Sequence, residues 1–298
     1  MKIGIIGGGS IGLLFAGYLA RNNEVTIYSR TETQASILRS KGVTIEQNNT
    51  SNTYRVQATT STNSVSDEEF MIIAVKQYVL EEVLLQLNDL DKIPTVLFLQ
   101  NGMGHIDALD KLKNRTILLG VVEHGALKID NARVLHTGIG KTKVALFRGD
   151  KDKADLLVRE NTTTFPIELH SNWREILTSK LIVNAVINPL TALFKIKNGE
   201  LIYNRYFYHS MEALYNEIIS VIHPVTDNMW QQVCEICNNT AENKSSMLRD
   251  VEEGRKTEVE AILGYVINEA KRKNQKLILT PFLFEGIKGI EDRGKYNG

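Results

Sequence analysis

The sequence has few of the features that mark several large classes of protein. Two cysteines among 298 residues exclude a scaffold held together by disulfides. Lysine and arginine together number 35, as do aspartate and glutamate, so no net charge attracts a nucleic acid or an acidic membrane surface. We find no apolar run that approaches the roughly 20 residues needed to cross a bilayer. From these absences we expect a cytoplasmic protein without a membrane or nucleic-acid partner.

What the sequence does have is a glycine cluster at its start. A short apolar run, Ile3 to Ile6, leads into Gly7-x-Gly9-x-x-Gly12, and a helix-like pattern follows at once. In a dinucleotide-binding turn, the first glycine permits the turn, the second lets the backbone approach the pyrophosphate, and the third lets the helix pack on the strand. An ordinary glycine-rich β–α turn is the alternative. We predict that a dinucleotide is bound by Gly7, Gly8, Gly9, Ser10, Ile11 and Gly12.

The residue after the second predicted strand, Glu24 to Tyr28, distinguishes NAD from NADP. An acidic side chain there bonds the ribose 2′-hydroxyl of NAD, whereas an arginine suits the 2′-phosphate of NADP. This chain has Ser29-Arg30-Thr31 and no carboxylate before Glu32. Since a guanidinium binds phosphate through two parallel hydrogen bonds, we expect NADP(H) as the cofactor and Arg30 as a ligand. A solvated surface arginine is the alternative.

Two further predicted strands end in polar residues. Phe70 to Val75 is followed by Lys76, and Thr95 to Leu99 is followed by Gln100-Asn101-Gly102-Met103-Gly104. In an open α/β sheet, ligands lie beyond the carboxyl ends of the strands. Lys76 and Asn101 are therefore candidate ligands, although Asn-Gly is also common in simple turns.

The pattern along the chain changes near residue 168. We predict a Rossmann-type α/β dinucleotide-binding domain over 1–168 and an all-α domain over 169–298. Strands are expected at 3–6, 24–28, 43–46, 53–58, 70–75, 95–99 and 117–122. Of these, 43–46 and 53–58 are expected to pair around a polar turn at 47–52, and a short antiparallel extension is expected around 128, 133–136 and 143–147. Long helices are expected at 173–184, 206–222, 227–238, 258–273 and 281–293.

Three polar residues recur along the first helix of the second half. Lys180, Asn184 and Asn188 are four residues apart, so they share one helical face, and the positions between them are apolar. Asparagine is a poor helix former, so its repeated use on one face indicates a role. We infer a row of hydrogen-bonding groups that lines a cleft. By spacing alone, an exposed polar face is equally compatible.

Other residues with possible chemistry are interpreted as structural. Cys234-x-x-Cys237 has no second cysteine pair and no nearby histidine pair, so we expect packed thiols rather than a redox or zinc site. His105 and His124 follow predicted strand ends, and we leave both out of the catalytic set. No spacing of carboxylates and histidines predicts a metal site.

The chain resembles the ketopantoate reductase family over essentially its full length. Several independent motifs occur in the family's order, which makes the resemblance more specific than the glycine turn alone. The matching pieces are GGGSIG at 7–12, Arg30, Lys76, QNGMG at 100–104, KLIVNAVINPLTAL at 180–193, NGEL at 198–201, ENKSSML at 242–248 and RKTE ending at Glu258.

The resemblance implies an oxidoreductase that reduces 2-dehydropantoate (ketopantoate) with NADPH, on the way to pantothenate and coenzyme A. Lys180 would be the general acid that protonates the ketone oxygen, and Glu258 would bind the substrate's hydroxyl group and support Lys180. Asn101 would hold the ketone or the lysine in position. The other substrate-binding positions would be Asn184, Asn188, Asn198, Asn243 and Ser246. The cofactor would be held by the glycine turn, Arg30, Lys76 and Asn101.

Two alternatives stay open. One is another 2-keto or 3-hydroxyacid reductase of similar architecture, and the other is a non-catalytic NADP-binding sensor. In each reading the expected ligands are small molecules, a keto acid for the enzymes, and a homodimer is compatible with the apolar helices.

Overall fold

The computed structural model describes residues 1–61, 65–88, 95–113 and 116–296. By their internal contacts, the residues form two compact units. Unit 1 comprises Met1–Gln100 and Ala108–Ile176, and unit 2 comprises Asn101–Asp107 and Leu177–Gly298. Whereas the sequence pattern changes once, near residue 168, the chain passes from one unit to the other three times.

Unit 1 is built on a sheet of eight strands in the order β12-β11-β8-β7-β6-β1-β2-β5. Its central strands are parallel and almost wholly apolar, as is typical of a sheet covered on both faces. The strands are β1 (Lys2–Ile6), β2 (Glu24–Tyr28), β3 (Val43–Gln47), β4 (Thr50–Tyr54), β5 (Gln57–Thr59), β6 (Phe70–Ile73), β7 (Thr95–Phe98), β8 (Thr116–Val122), β9 (Gly125–Lys128), β10 (Arg133–Gly138), β11 (Thr142–Arg148) and β12 (Ile167–His170). The helices up to the end of this unit are α1 (Ser10–Leu19), α2 (Glu32–Lys41), α3 (Gln77–Asn88), α4 (Ile106–Leu109) and α5 (Asp152–Val158).

A second sheet of four strands, in the order β4-β3-β10-β9, differs from the predicted pairing. The strand expected at 53–58 is two separate strands: β4 pairs antiparallel with β3, as predicted, whereas β5 pairs parallel with β2 in the large sheet. The predicted extension is only partly correct: β9 and β10 pair antiparallel, but β11 pairs with β8 in the large sheet. Hydrophobic alternation within a strand does not specify its neighbour, and these short strands carry no other signal.

A buried polar chain crosses the core of unit 1. Tyr18 Oη lies 2.8 Å from His136 Nδ1, and His136 Nε2 lies 3.2 Å from His124 Nδ1. Phe165 stacks on both Tyr18 and His124. Burial lowers the pKa of His124 to about 4, with a further contribution from His136, and burial also lowers the pKa of His136. Both imidazoles are therefore neutral at pH 7.

Apart from residues 101–107, unit 2 is helical. Its helices are α6 (Trp173–Phe194, which begins in unit 1), α7 (Glu200–Tyr203), α8 (Arg205–Val221), α9 (Met229–Asn239), α10 (Ser246–Glu252), a π-helix (Glu260–Gly264), α11 (Tyr265–Arg272) and α12 (Leu279–Tyr296). The helix expected to end at residue 184 continues through Pro189 to Phe194. Proline costs a helix about 3 kcal/mol, but every residue from 181 to 190 is buried, so packing outweighs this penalty. The predicted fold class, a Rossmann-type α/β domain followed by an all-α domain, is confirmed.

α6 is also long and apolar enough to cross a membrane, with 22 residues and a mean hydropathy of 1.4. Our expectation that no apolar run approaches a membrane-spanning length is therefore wrong for α6, as judged by its length and composition alone. However, 83% of its apolar window is buried inside the protein, as in a core helix.

Candidate functional site

The glycine turn in unit 1 has the geometry that its spacing predicts. Gly7 has a φ of +116°, which is a conformation that favours glycine, and its N–H donates to Tyr28 O at 3.0 Å. A Cβ atom on Gly12 would overlap the carbonyl oxygen of Gly7, so only glycine lets α1 start this close to β1. A Cβ atom on Gly9 would meet no atom within 4 Å, so the space above Gly9 is open.

The N-terminus of α1 opens into the same space. Gly9 is the N-cap residue and provides no side chain to cap the helix, and the first turn contains no acidic residue. Ser10 and Ile11 follow as half-buried residues of that turn. Because the first N–H groups of a helix lack intrahelical partners and attract anions, this open cradle fits the pyrophosphate of a dinucleotide.

The carbonyl of Gly8 accepts two side-chain hydrogen bonds that the sequence did not indicate. Gln34 Nε2 and Lys128 Nζ each donate to Gly8 O at 2.9 Å. Gln34 Nε2 also lies 2.9 Å from Asn131 O, in the connection between β9 and β10. The glycine turn is therefore held from two separate parts of unit 1.

Arg30 directly follows Ser29 at the end of β2, and its side chain is exposed. The next acidic residue, Glu32, forms an ion pair with Arg39 and accepts a hydrogen bond from Thr60. Thr31 caps α2 by accepting a hydrogen bond from the backbone of Gln34. The first carboxylate after β2 is thus engaged by Arg39 of α2 and by Thr60, the residue after β5, while Arg30 is exposed to solvent.

Lys76 lies just beyond β6 and is half-buried. The end of this strand is joined to the end of β7 by Gln100, whose Nε2 donates to Ile73 O and Val75 O, each at 3.0 Å. The polar residues that end β6 and β7 are therefore fixed relative to each other within unit 1.

In unit 2, Asn101 meets Glu258. Asn101 Nδ2 donates to Glu258 Oε2 at 2.9 Å, and both residues are half-buried. Gly102 has a φ of +79°, and a Cβ atom there would overlap the carbonyl oxygen of Ala261 in the π-helix. The QNGMG motif is thus a close-packed part of unit 2 rather than a simple turn, because its backbone lies directly on the π-helix.

The residue before Glu258 is fixed by a buried carboxylate. Thr257 donates to Glu291 Oε1 through its backbone N at 2.8 Å and through its hydroxyl at 2.6 Å. Lys288 Nζ lies 3.1 Å from Glu291 Oε2 and balances its charge. Glu258 therefore sits between an anchored threonine and a π-helix, an irregularity that is common at functional sites.

The polar stripe of α6 is not a solvent-exposed face. Asn184 and Asn188 are only 8% and 7% exposed, and Lys180 is half-buried. Thr191, one turn further on, donates to Ser245 Oγ at 2.8 Å. The exposed-face alternative is therefore wrong for Asn184 and Asn188, whereas a binding role for the stripe stays a prediction.

The remaining candidates lie near the start of α10. Ser245 caps this helix by accepting from the backbone of Leu248, and Ser246 is its exposed first residue. Asn198 N donates to Asn243 O at 3.0 Å, while Asn198 Nδ2 donates to Thr240 Oγ1 at 2.9 Å. Asn198 therefore holds the backbone around Asn243, whose own side chain is exposed.

Neither cysteine has the character of a reactive thiol. Burial raises the pKa of Cys237 to about 12 and also raises that of Cys234. In the ranges that the structure describes, no group of three or more histidine, cysteine, aspartate and glutamate side chains is placed to hold a metal ion.

The predicted site residues divide between the two units. The glycine turn, Arg30 and Lys76 lie in unit 1, and Lys180, Glu258 and Asn101 lie in unit 2. The structure joins Asn101 to Glu258 and Asn198 to Asn243. Sequence reasoning missed Gln34 and Lys128, for which no local pattern exists. It also missed Thr257, although its place beside Glu258 in the RKTE motif was visible.

Comparison with known proteins supports the resemblance to ketopantoate reductases in both halves of the chain. The family model for ketopantoate reductase PanE/ApbA matches residues 3–149, and the model for the PanE/ApbA C-terminal part matches residues 172–291. A curated relative, the 2-dehydropantoate 2-reductase of Bacillus subtilis, is 40% identical over 294 residues, which are 98% of each chain.

Solved structures with the same fold cover both units. The crystal structure of a probable 2-dehydropantoate 2-reductase from Bacillus subtilis has a TM-score of 0.89 at 39% identity, covering 97% of this chain and 100% of that one. D-mandelate dehydrogenase in a ternary structure with NADH and anilino(oxo)acetate has a TM-score of 0.86 at 22% identity, covering 99% of this chain and 100% of that one. The protein described here therefore belongs to the ketopantoate reductase family.

Proposed function

We propose that this chain reduces the ketone of 2-dehydropantoate (ketopantoate) to the secondary alcohol of (R)-pantoate in the synthesis of pantothenate and coenzyme A. The full-length match to relatives named 2-dehydropantoate 2-reductase supports this activity. The structural observation that carries it is the 2.9 Å hydrogen bond between Asn101 and Glu258. These two residues are 157 positions apart, and both belong to the motifs that the family shares.

The cofactor is a nicotinamide dinucleotide, and we propose NADP(H). The open cradle at Gly9 and the uncapped start of α1 fit its pyrophosphate. Arg30 is free of Glu32, which pairs with Arg39, and so can bind the 2′-phosphate. Lys76, beyond β6, would be a further ligand. When bound, NADPH supplies the hydride that the ketone carbon receives.

Lys180 is the proposed general acid. As the carbonyl carbon gains the hydride, the electron pair of the C=O π bond moves to oxygen, and the Lys180 ammonium donates a proton to that oxygen. A cation at this place also stabilises the developing alkoxide. Lys180 then regains its proton from solvent, so the products are the alcohol and the oxidised cofactor.

Glu258 and the asparagines would hold the substrate. The Glu258 carboxylate accepts a hydrogen bond from the substrate's hydroxyl group, and Asn101 fixes that carboxylate. Asn184, Asn188 and Ser246 would donate to the substrate, with Asn198 and Asn243 as further contributors. We assign the cofactor to residues 1–168 and the substrate to 169–298 together with Asn101. A cytoplasmic location and a homodimer stay predictions.

The first experiment measures NADPH consumption with ketopantoate beside NADH at equal concentration. Turnover with NADPH and little with NADH supports both the reaction and the cofactor. Turnover with NADH alone overturns the choice of cofactor. Tight NADPH binding without turnover of ketopantoate overturns the substrate, and a panel of keto acids then separates another reductase from a non-catalytic sensor.

The second experiment tests Lys180. We expect Lys180→Ala to lower kcat by about 10²- to 10⁴-fold, the usual contribution of a general acid, with NADPH affinity nearly unchanged. Lys271→Ala, at an exposed lysine of α11, is the control. Equal losses of turnover and NADPH affinity would show that Lys180 is structural.

A further inference from the structure

Lys128 contacts the glycine turn, and the proposed reaction does not explain its position. Lys128 is the last residue of β9, and its side chain is half-buried with Nζ 2.9 Å from Gly8 O. A half-buried ammonium loses part of its hydration, which is costly unless the position has a compensating interaction. One carbonyl oxygen uses only one of the three donors of the ammonium.

The nearest acidic residue of the same hairpin is already engaged. Asp130 Oδ1 accepts from the backbone N of Ala132 and of Arg133, each at 2.8 Å, and Asp130 Oδ2 lies 2.6 Å from Arg133 Nε. Its charge is thus largely balanced by Arg133. Asp130 therefore only partly compensates the charge of Lys128.

A second cation lies near the same turn, because Arg30 is two residues beyond Tyr28, whose carbonyl accepts from Gly7 N at 3.0 Å. The pKa of Lys128 is lowered, mainly by burial and further by Arg30, while Asp130 opposes the shift. Two cations that repel each other beside an open glycine turn form an unfavourable arrangement until an anion lies between them. A phosphate dianion satisfies both and can use the remaining donors of Lys128.

The same contact also orients the backbone. In a planar trans peptide, the N–H of Gly9 points away from the carbonyl of Gly8. Since Lys128 and Gln34 both hold that carbonyl, the Gly9 N–H is turned toward the opposite side. Gln34 holds this carbonyl without a charge, so orienting the backbone does not account for the positive charge of Lys128.

We propose that Lys128 is a specificity-determining residue that, together with Arg30, binds the 2′-phosphate of NADP(H). This assignment rests on the proposed use of NADP(H). Arg30 ends β2, where the adenosine ribose lies in this fold class, and Lys128 meets the turn from the β9–β10 hairpin. Preference for NADPH over NADH then depends on two residues that are far apart in sequence.

The test compares ligands that differ only in the 2′-phosphate. Calorimetric titration with adenosine 2′,5′-bisphosphate and with adenosine 5′-monophosphate, and fluorescence titration with NADPH and NADH, give the preference without turnover. Lys128→Gln keeps a donor for Gly8 O and removes the charge. We expect it to weaken the 2′-phosphorylated ligands by about 10- to 100-fold, the range for hydrogen bonds to charged groups, and to leave the others within about twofold.

Matched variants separate charge from geometry. Lys128→Arg should restore most of the preference, and Lys143→Gln, at a half-buried lysine paired with Glu123, should not change it. Gln34→Leu should weaken all four ligands alike. Lys128 does not bind the 2′-phosphate if Lys128→Gln keeps the wild-type preference. The same conclusion follows if this variant weakens binding of the ligands with and without the 2′-phosphate equally. If the wild-type protein itself has no preference, the proposed NADP(H) cofactor is wrong instead.

Discussion

Replacing Asn101 by alanine removes the donor that fixes the Glu258 carboxylate. The hydrogen bond is 2.9 Å long and has a charged acceptor, and such bonds contribute about 1.5–3 kcal/mol. Both residues are half-buried, so water compensates part of the loss and we expect about 1–2 kcal/mol. At 1.36 kcal/mol for each factor of ten, kcat/KM for ketopantoate should fall by about 5- to 30-fold.

The assay is a double-mutant cycle on kcat and KM. Asn101→Ala, Glu258→Ala and the double variant are measured, with Asn216→Ala, at an exposed asparagine of α8, as the control. If Asn101 acts through Glu258, the double variant should be little worse than Glu258→Ala, since the losses of coupled residues do not add. Fully additive losses would refute the reasoning, as would a loss confined to NADPH affinity.

Two further predictions concern unit 1. Gly9→Ala should keep the melting temperature and weaken NADPH binding about tenfold or more, because its methyl group enters only the open cradle. Gly12→Ala should lower the free energy of unfolding by about 1–3 kcal/mol, because its methyl group overlaps Gly7. Unfolding and NADPH titrations check both, and normal NADPH binding by Gly9→Ala would contradict the cradle. Acid should destabilise unit 1. The folded pKa of His124 is about 4, so below pH 6.5 the unfolded chain binds a proton at this histidine that the folded chain does not bind. The expected loss between pH 7 and pH 5 is about 2 kcal/mol, and His124→Gln should reduce it in thermal unfolding; an equal loss in that variant would contradict the assignment to His124.

The parts of the molecule that could be predicted are those with a local signal. Gly7, Gly9 and Gly12 are close in sequence, and the overlap that requires glycine at position 12 is with Gly7, only five residues away. The alternation of apolar strands and helices likewise predicts the fold class. Two strands, β5 and β11, pair differently from the prediction, because pairing depends on distant partners rather than on the strand itself.

The candidate site was predictable only where spacing or a shared motif pointed to it. Burial of Asn184 and Asn188 could not be deduced from their spacing, since an exposed face has the same period. Lys128 is 120 positions from Gly8, so no window along the chain contains both. The continuation of α6 through Pro189 depends on the packing of its neighbours, which outweighs the local preference of proline.

The repeated passage of the chain between units has a consequence for its synthesis. Residues 101–107 leave the ribosome early, yet their contacts in unit 2 include Ala261 and Glu258, which are made much later. The strands of unit 1 all lie within the first 176 residues, whereas residues 101–107 can make these contacts only after unit 2 has been synthesised. The two halves are therefore not separable modules: a fragment that ends near residue 168 would present Met103 and Gly102 to solvent without the surface that normally buries them.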